Sequence, residues 1–329
     1  MATVMARKID WENQIGRRLK LRDLYVFFTV VQRGSMAKAA THLGVSQPAV
    51  SEVIGDLEHA LGVRLLDRSA HGVEPTVYGR ALLTRSRAAF DELKQGIKDI
   101  EFLADPTAGE LRIGCVESIA SAILPPVIER FSQQYPRIVL HVTDAVTTAT
   151  LDLPELRERT LDFVLARIVG SLARDDHDLN VEILFNDYLV LVAGKRTRWA
   201  NRARIDLAEL VDEPWVLTPA NSWGDRLITD AFRARGLPLP KPSLMTFSVH
   251  LRTNLLTTGP FITALPSSVV RMHADRFALK VLPIDLPVRP WPVGIVTLKN
   301  RHLSPVAQLF IDHLRACATA MPVELQRPA

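Results

Sequence analysis

Between Gly34 and Glu58 the chain reads GSMAKAATHLGVSQPAVSEVIGDLE, an order of residues that few local folds accommodate. Ser35 is a good N-cap for a short helix holding Ala37, Ala39 and Ala40, whose small side chains let another helix cross closely. Gly44 can end that helix in a left-handed conformation. Ser46 then caps a second helix, with Pro48 in its first turn, where a missing N–H costs nothing. Val50, Ile54, Leu57 and Leu61 recur at spacings of 4, 3 and 4, which lays one buried stripe along that helix. The opposite face carries Gln47, Ser51, Gly55 and His59. A helical hairpin inside a core needs no such polar face. Caps, proline, stripe and outer face together predict a helix-turn-helix, whose second helix enters a major groove N-terminus first.

The side chains on that face suit the task. Gln47 can bond adenine with two hydrogen bonds, Ser51 can serve bases or phosphate, and Pro48 or Ala49 can pack on a thymine methyl. Ser35 and Ser46 stand at helix starts, where free N–H groups can hold a phosphate. Downstream, Leu61–Thr76 reads as a wing, two short strands around a turn at His71-Gly72. Arg64 and Arg68 there can reach phosphates or a minor groove; an ordinary surface salt bridge is the alternative for each. Residues 1–90 hold 13 Lys and Arg against 8 Asp and Glu, a net of +5, so the remainder nets −1 of the total +4. A basic head on a near-neutral body fits a nucleic-acid contact at the N-terminal end.

Residues 1–20 read as a polar leader without the apolar run of a secretory signal, and no stretch approaches a membrane span in length, so the cytoplasm is the expected location. Helical patterns fill Leu21 to about Leu66 and resume from about Thr76 to Leu103. The segment Ala104-Asp-Pro-Thr-Ala-Gly109 is a turn-rich boundary. Beyond it short apolar runs alternate with helical patterns, the texture of βα units: strands at Leu111–Val116, Ile138–Val142, Leu161–Ala166, Tyr188–Ala193, Trp215–Thr218, Phe261–Leu265 and Val293–Leu298, and a closing helix at Pro305–Thr319. Cys115 and Cys317 match no metal or redox spacing and read as free thiols in a reducing compartment.

Residues 21–82 resemble the DNA-binding end of the LysR-type transcriptional regulators. The resemblance is carried by Leu24, Phe27 or Phe28, Val31, Gly34-Ser35, Ala39-Ala40, Leu43, Ser46-Gln47-Pro48-Ala49-Val50-Ser51, Ile54, Leu57-Glu58, Leu61-Gly62, Leu65, Arg68, Thr76 and Gly79. Leu66 departs from the pattern, standing where the family usually has Phe. The similarity continues more loosely through Leu111-Arg-Ile-Gly114, Leu124-Pro125, Phe131, Tyr135-Pro136, Leu161-Asp162 and Leu265-Pro266. It implies a winged helix-turn-helix over 21–78, a linker and dimerisation helix over 79–105, and over 109–320 a two-lobed α/β effector-binding domain like a periplasmic binding protein. Lobe I is expected at about 109–166 and 266–320, lobe II at about 167–265. The resemblance also implies homodimers or tetramers on an interrupted inverted repeat of double-stranded DNA, a small-molecule effector and contact with RNA polymerase.

Independently of that likeness, Leu82, Ala89, Leu93, Ile97, Ile100 and Ala104 fall at spacings near 3 or 4, a narrow seam that fits a two-helix coiled coil; packing of this helix on its own domain is the alternative. In open α/β sheets, ligands bind beyond the C-terminal strand ends, where helix N-termini point. Glu117-Ser118 occupies the first such place, with Ser118 either a plain helix cap or a donor to a ligand oxygen. Thr218, Asn221 and Ser222 form a second loop, and Phe247-Ser248 a third. Arg167, ending a strand, is either a bidentate partner for a carboxylate or half of a structural ion pair. The expected effector is a small organic anion, a sugar acid or an aromatic acid.

The usual enzyme signatures G-x-S-x-G, H-E-x-x-H, G-x-x-x-x-G-K-[ST] and G-x-G-x-x-G do not occur, so no catalytic residue, cofactor or metal site is expected. A solute-binding protein would not need residues 21–82. A DNA-binding architectural protein without effector remains open at this level.

Overall fold

A computed structural model describes residues 19–69, 72–144, 153–168, 178–284, 286–287 and 289–319. Most of the expected leader, and His71 at the expected wing turn, lie outside the described residues. The chain forms two compact units that part between Gly96 and Ile97.

In the first unit, α1 (Leu21–Arg33), α2 (Met36–Leu43) and α3 (Gln47–Leu61) pack around Phe27, Val30, Ala39, Val50, Ile54 and Leu57, all at most 4% exposed. The cap residues do what their chemistry allows: Ser35 accepts from Lys38 N, and Ser46 from Ala49 N. Gly44 ends α2 at φ +67°, a backbone that other residues rarely adopt. A hairpin follows, β1 (Leu66–Ser69) antiparallel to β2 (Gly72–Pro75). Glu58 fixes its entry by accepting from both Leu65 N at 2.7 Å and Leu66 N at 3.1 Å. Leu66 is only 1% exposed, so the smaller apolar side chain still fills the head core.

The long helix α4 (Val77–Ala104) starts under tight constraint. Thr76 Oγ1 donates to Arg64 O and accepts from Gly79 N at 3.0 Å. Gly79 meets the hairpin so closely that a Cβ there would lie 2.0 Å from Leu65 O. Further along α4, Leu93, Ile97, Ile100 and Leu103 are 50%, 56%, 68% and 81% exposed. Leu82, also expected on the seam, is half-buried and packs against the head core.

The second unit holds two five-stranded sheets. In chain order its elements are β3 (Ala108–Cys115), α5 (Glu117–Gln134), β4 (Arg137–Asp144), α6 (Pro154–Arg157), β5 (Phe163–Arg167), β6 (Leu179–Asp187), β7 (Leu189–Gly194), β8 (Trp215–Leu217), α7 (Trp223–Ala234), β9 (Pro242–Met245), α8 (Val249–Thr258), β10 (Ile262–Pro266), α9 (Ser267–His273), β11 (Leu279–Val281), β12 (Trp291–Leu298) and α10 (Pro305–Thr319). The first sheet runs β4-β3-β5-β12-β6, the second β11-β7-β10-β8-β9. On the first sheet, Phe131 of α5 meets Phe310 of α10 at 5.0 Å between centroids. Both rings are fully buried, worth about 1.5–3 kcal/mol each.

This topology corrects the expected lobe limits of 167–265 and 266–320. β6 pairs with β12 and therefore belongs to the first lobe, whereas β11 pairs with β7 in the second sheet, and α9 between β10 and β11 packs chiefly on α5. The chain passes from the first sheet to the second between β6 and β7 and is back in the first with β12. The sequence could not reveal this locally, because the strand that claims β6 begins at Trp291.

Candidate functional site

Two groups of residues emerge, one in each unit. On α3, Val50, Ile54 and Leu57 turn inward, which leaves Gln47, Pro48, Gly55 and His59 exposed and Ala49 and Ser51 half-buried. Arg68 of β1 donates to Ser51 Oγ at 3.2 Å, so two of the residues selected from sequence meet. Arg64, just before β1, donates to Leu66 O at 3.5 Å. Ser35 and Ser46 act as helix caps.

In the second unit, Arg167 ends β5 and donates to Ser118 Oγ. Ser118 is not the cap of α5, as the sequence suggested. Val116 holds that position and the helix begins at Glu117, which places the Ser118 hydroxyl where Arg167 can reach it. The Arg167 guanidinium lies 5.5 Å from the centre of the Trp223 ring, which meets Trp291 edge-on at 4.3 Å. Trp223 opens α7 directly after the cap Ser222, whose hydroxyl donates to Thr218 Oγ1 at 2.9 Å and accepts from Asp225 N. The 218–222 loop thus reaches Arg167 through its neighbouring tryptophan rather than through Thr218, Asn221 or Ser222 themselves. Asn221 is exposed at φ +63°, with its N–H donating to Asp225.

The third loop joins through its backbone. Ser248 caps α8 by accepting from Leu251 N, while the Phe247 side chain is 58% exposed and only its carbonyl turns inward, to Arg252. Glu117 of the first lobe accepts from Val249 N at 2.8 Å and His250 N at 3.2 Å. Asp187, at the crossing between the sheets, accepts from Ser267 Oγ and Ser268 Oγ, each at 2.6 Å.

Two buried guanidiniums and two carboxylates set the electrostatics here. Burial pulls both Arg167 and Arg252 down to about 10; Asp187 opposes that shift at Arg167 and Glu117 at Arg252, while Arg167 itself adds to it at Arg252. Both therefore stay protonated at neutral pH. Among the described residues, Arg167 Nε, Arg252 Nε and Trp291 Nε1 are buried donors with no acceptor. Such groups cost about 1–3 kcal/mol each when left unmade. Three donors lacking acceptors, with two cations, make a setting suited to an anion rich in acceptor oxygens.

Arg252, Trp223, Trp291 and Asp187 were not singled out from sequence. Arg252 carried a readable signal: the buried stripe of α8 is Val249, Arg252, Thr253 and Leu256, so an arginine occupies a core position of an amphipathic helix. The tryptophans carried none, since their pairing joins strands and helices far apart in the chain. A separate cavity of about 840 Å³ opens beside Lys195, Arg198 and Trp199 at the other end of β7 from Tyr188, but Arg198 is paired with Glu213 there. Among the described residues no three His, Cys, Asp or Glu gather as a metal site, and no helix is long and apolar enough to cross a membrane.

Comparison with known proteins places both units. Residues 21–80 match the family described as "Bacterial regulatory helix-turn-helix protein, lysR family", and residues 104–318 match the "LysR substrate binding domain". The HTH-type transcriptional regulator GbpR of Azospirillum brasilense is 28% identical over 313 residues, 94% of this chain and 90% of its own. The HTH-type transcriptional regulator TdcA of Escherichia coli is 28% identical over 294 residues, 89% and 91% of the two chains. Among solved structures, a full-length OxyR variant from Pseudomonas aeruginosa aligns with a TM-score of 0.62 at 21% identity, covering 91% of this chain and 94% of that one. Full-length CbnR complexed with its target DNA aligns with a TM-score of 0.50 at 23% identity, covering 91% and 100%.

Proposed function

The chain belongs to the LysR family of bacterial transcriptional regulators, a DNA-binding head followed by an effector-binding domain, and from that premise we propose that a small organic anion held by Arg167 and its neighbours controls how the head reads DNA. The observation that carries the anion is the set of buried donors without acceptors at Arg167, Arg252 and Trp291. The Trp223–Trp291 pair beside Arg167 favours an aromatic acid over a sugar acid, because flat rings stack on such walls.

The head offers Gln47 and Ser51 to bases, and Arg64 and Arg68 to phosphate or the minor groove. The structural neighbour CbnR is known with its target DNA, which supports the same partner here. The stripe Leu93, Ile97 and Ile100, with Ala89 beside it, is the surface on which a second copy docks, and a two-fold pair then meets an interrupted inverted repeat. Dimers or tetramers, a cytoplasmic location and contact with RNA polymerase complete the reading, with effector binding shifting the population of head arrangements.

Footprinting on the DNA upstream of the protein's own gene tests this. A symmetric protected site is expected, with Gln47→Ala weakening binding by about tenfold to a hundredfold. No protection even at low salt, where phosphate contacts are strongest, refutes the DNA reading. An inducer response that survives both Arg167→Ala and Ser118→Ala refutes the proposed effector site.

A further inference from the structure

The first turn of α8 exposes three amides that its own helix cannot satisfy, those of Val249, His250 and Leu251. All three are occupied. Leu251 N donates to Ser248 Oγ at 3.2 Å, within the second lobe. Val249 N and His250 N donate to the two carboxylate oxygens of Glu117, at 2.8 Å and 3.2 Å, and Glu117 comes from the first lobe. One carboxylate thus lies across the positive end of a ten-residue helix, the arrangement in which anions bind helix N-termini.

Arg252 gives a second, independent sign that this place holds an anion. It stands one turn into the same helix, is only 4% exposed, and donates to Ala264 O and Phe247 O while its Nε keeps no acceptor among the described residues. Burying a guanidinium there is costly unless negative charge stands near it, and Glu117 is the carboxylate that raises its proton affinity.

We propose that the first turn of α8 is a carboxylate-binding site, and that Glu117 fills it as a resident ligand which a carboxylic acid effector displaces. This inference rests on reading the second unit as an effector-binding domain. Displacement moves the negative charge from the chain to the ligand, so the helix amides stay paired and a carboxylate stays near Arg252 throughout. The two hydrogen bonds by which α5 holds α8 across the lobes are lost at the same moment. Binding and release of an interlobe tie become one event, which is how a small acid changes lobe geometry here. Because Glu117 is tethered next to the site, it competes at high effective concentration and lowers the apparent affinity for any external acid.

Hydrogen exchange on the full-length protein, with sodium acetate as the probe and sodium chloride as the ionic control, tests this directly. In Glu117→Ala the amides of 249 and 250 are expected to exchange about tenfold faster than in the unsubstituted chain. Acetate restores their protection in the variant and leaves the unsubstituted chain unchanged. Glu117→Gln keeps the shape and one neutral acceptor, so it shows a smaller acceleration that acetate also reverses, and it decides the matter if the alanine variant does not fold. Unaltered exchange in the variants, or faster exchange that acetate does not reverse, each overturn the proposal. The readout uses neither DNA nor the natural effector. Its failure is therefore distinct from failure of the regulator reading, which shows instead as absent footprints or an inducer response indifferent to Arg167.

Discussion

Arg68 on the hairpin donates a hydrogen bond to Ser51 on α3 across 3.2 Å, linking the cation of the wing to the outward face of the second helix of the motif. On the proposed DNA reading the two side chains act as a unit. Arg68→Ala is expected to weaken binding about equally on all sequences and to lower the salt slope by about 1, as loss of one phosphate contact does. Ser51→Ala and the double variant complete a cycle whose effects fall short of additivity. A salt slope unchanged in Arg68→Ala shows that Arg68 does not meet phosphate.

Gly79→Ala tests the junction of hairpin and long helix. The added methyl would sit 2.0 Å from the Leu65 carbonyl, too close without backbone movement. A loss of about 1–3 kcal/mol of stability is expected, read by urea unfolding of the full chain. Gly96→Ala, where a Cβ meets nothing within 4 Å, is the control and should be neutral or slightly stabilising.

Asp162 accepts from Arg112 N at 2.9 Å and pairs with Arg301 at 3.3 Å, and both charged side chains are at most 5% exposed. Removing Asp162 takes a carboxylate from the buried Arg301 guanidinium and an acceptor from the Arg112 amide. Asp162→Ala is expected to cost about 3–5 kcal/mol in chemical unfolding. A loss under about 1 kcal/mol, the range of exposed pairs, refutes this account of the pair.

Cys115 is 1% exposed, and burial, aided by Asp144, pushes its thiol up to about 12. A disulfide-exchange reagent at pH 8 is expected to titrate one thiol, Cys317, in the folded protein and both after unfolding. The same shift has a stability consequence. Above the ordinary value of 9.0 the unfolded chain loses this proton and the folded chain keeps it, so the contribution of Cys115 to stability falls as pH rises from there toward 12. Cys115→Ala should flatten that part of the alkaline unfolding profile.

The head was legible because its information is local. Caps, glycines and the Val50–Ile54–Leu57 stripe all lie within one another's reach along the chain, and each does in three dimensions what its spacing implies. The closing helix at Pro305–Thr319 was equally plain. The second unit was legible in texture but not in partition, because membership of a sheet is decided by a distant strand, as β6 and β12 illustrate. Of the candidate effector residues, Ser118 and Arg167 do meet, and Glu117 and Ser248 meet the same helix start. Arg252 and the tryptophans escaped because what marks them is burial without a partner, a property that spacing does not encode.

The central place of β12 between β5 and β6 has a consequence on the ribosome. By the time β6 ends at Asp187, the strands β3, β4 and β5 can already be paired, yet the inner edge of β5 and the whole of β6 must wait for Trp291 to emerge. At about 5–20 residues per second that wait lasts roughly 5–20 s. During this interval the nascent first lobe presents an open, apolar strand edge, which makes it the part of the newborn chain most in need of a chaperone.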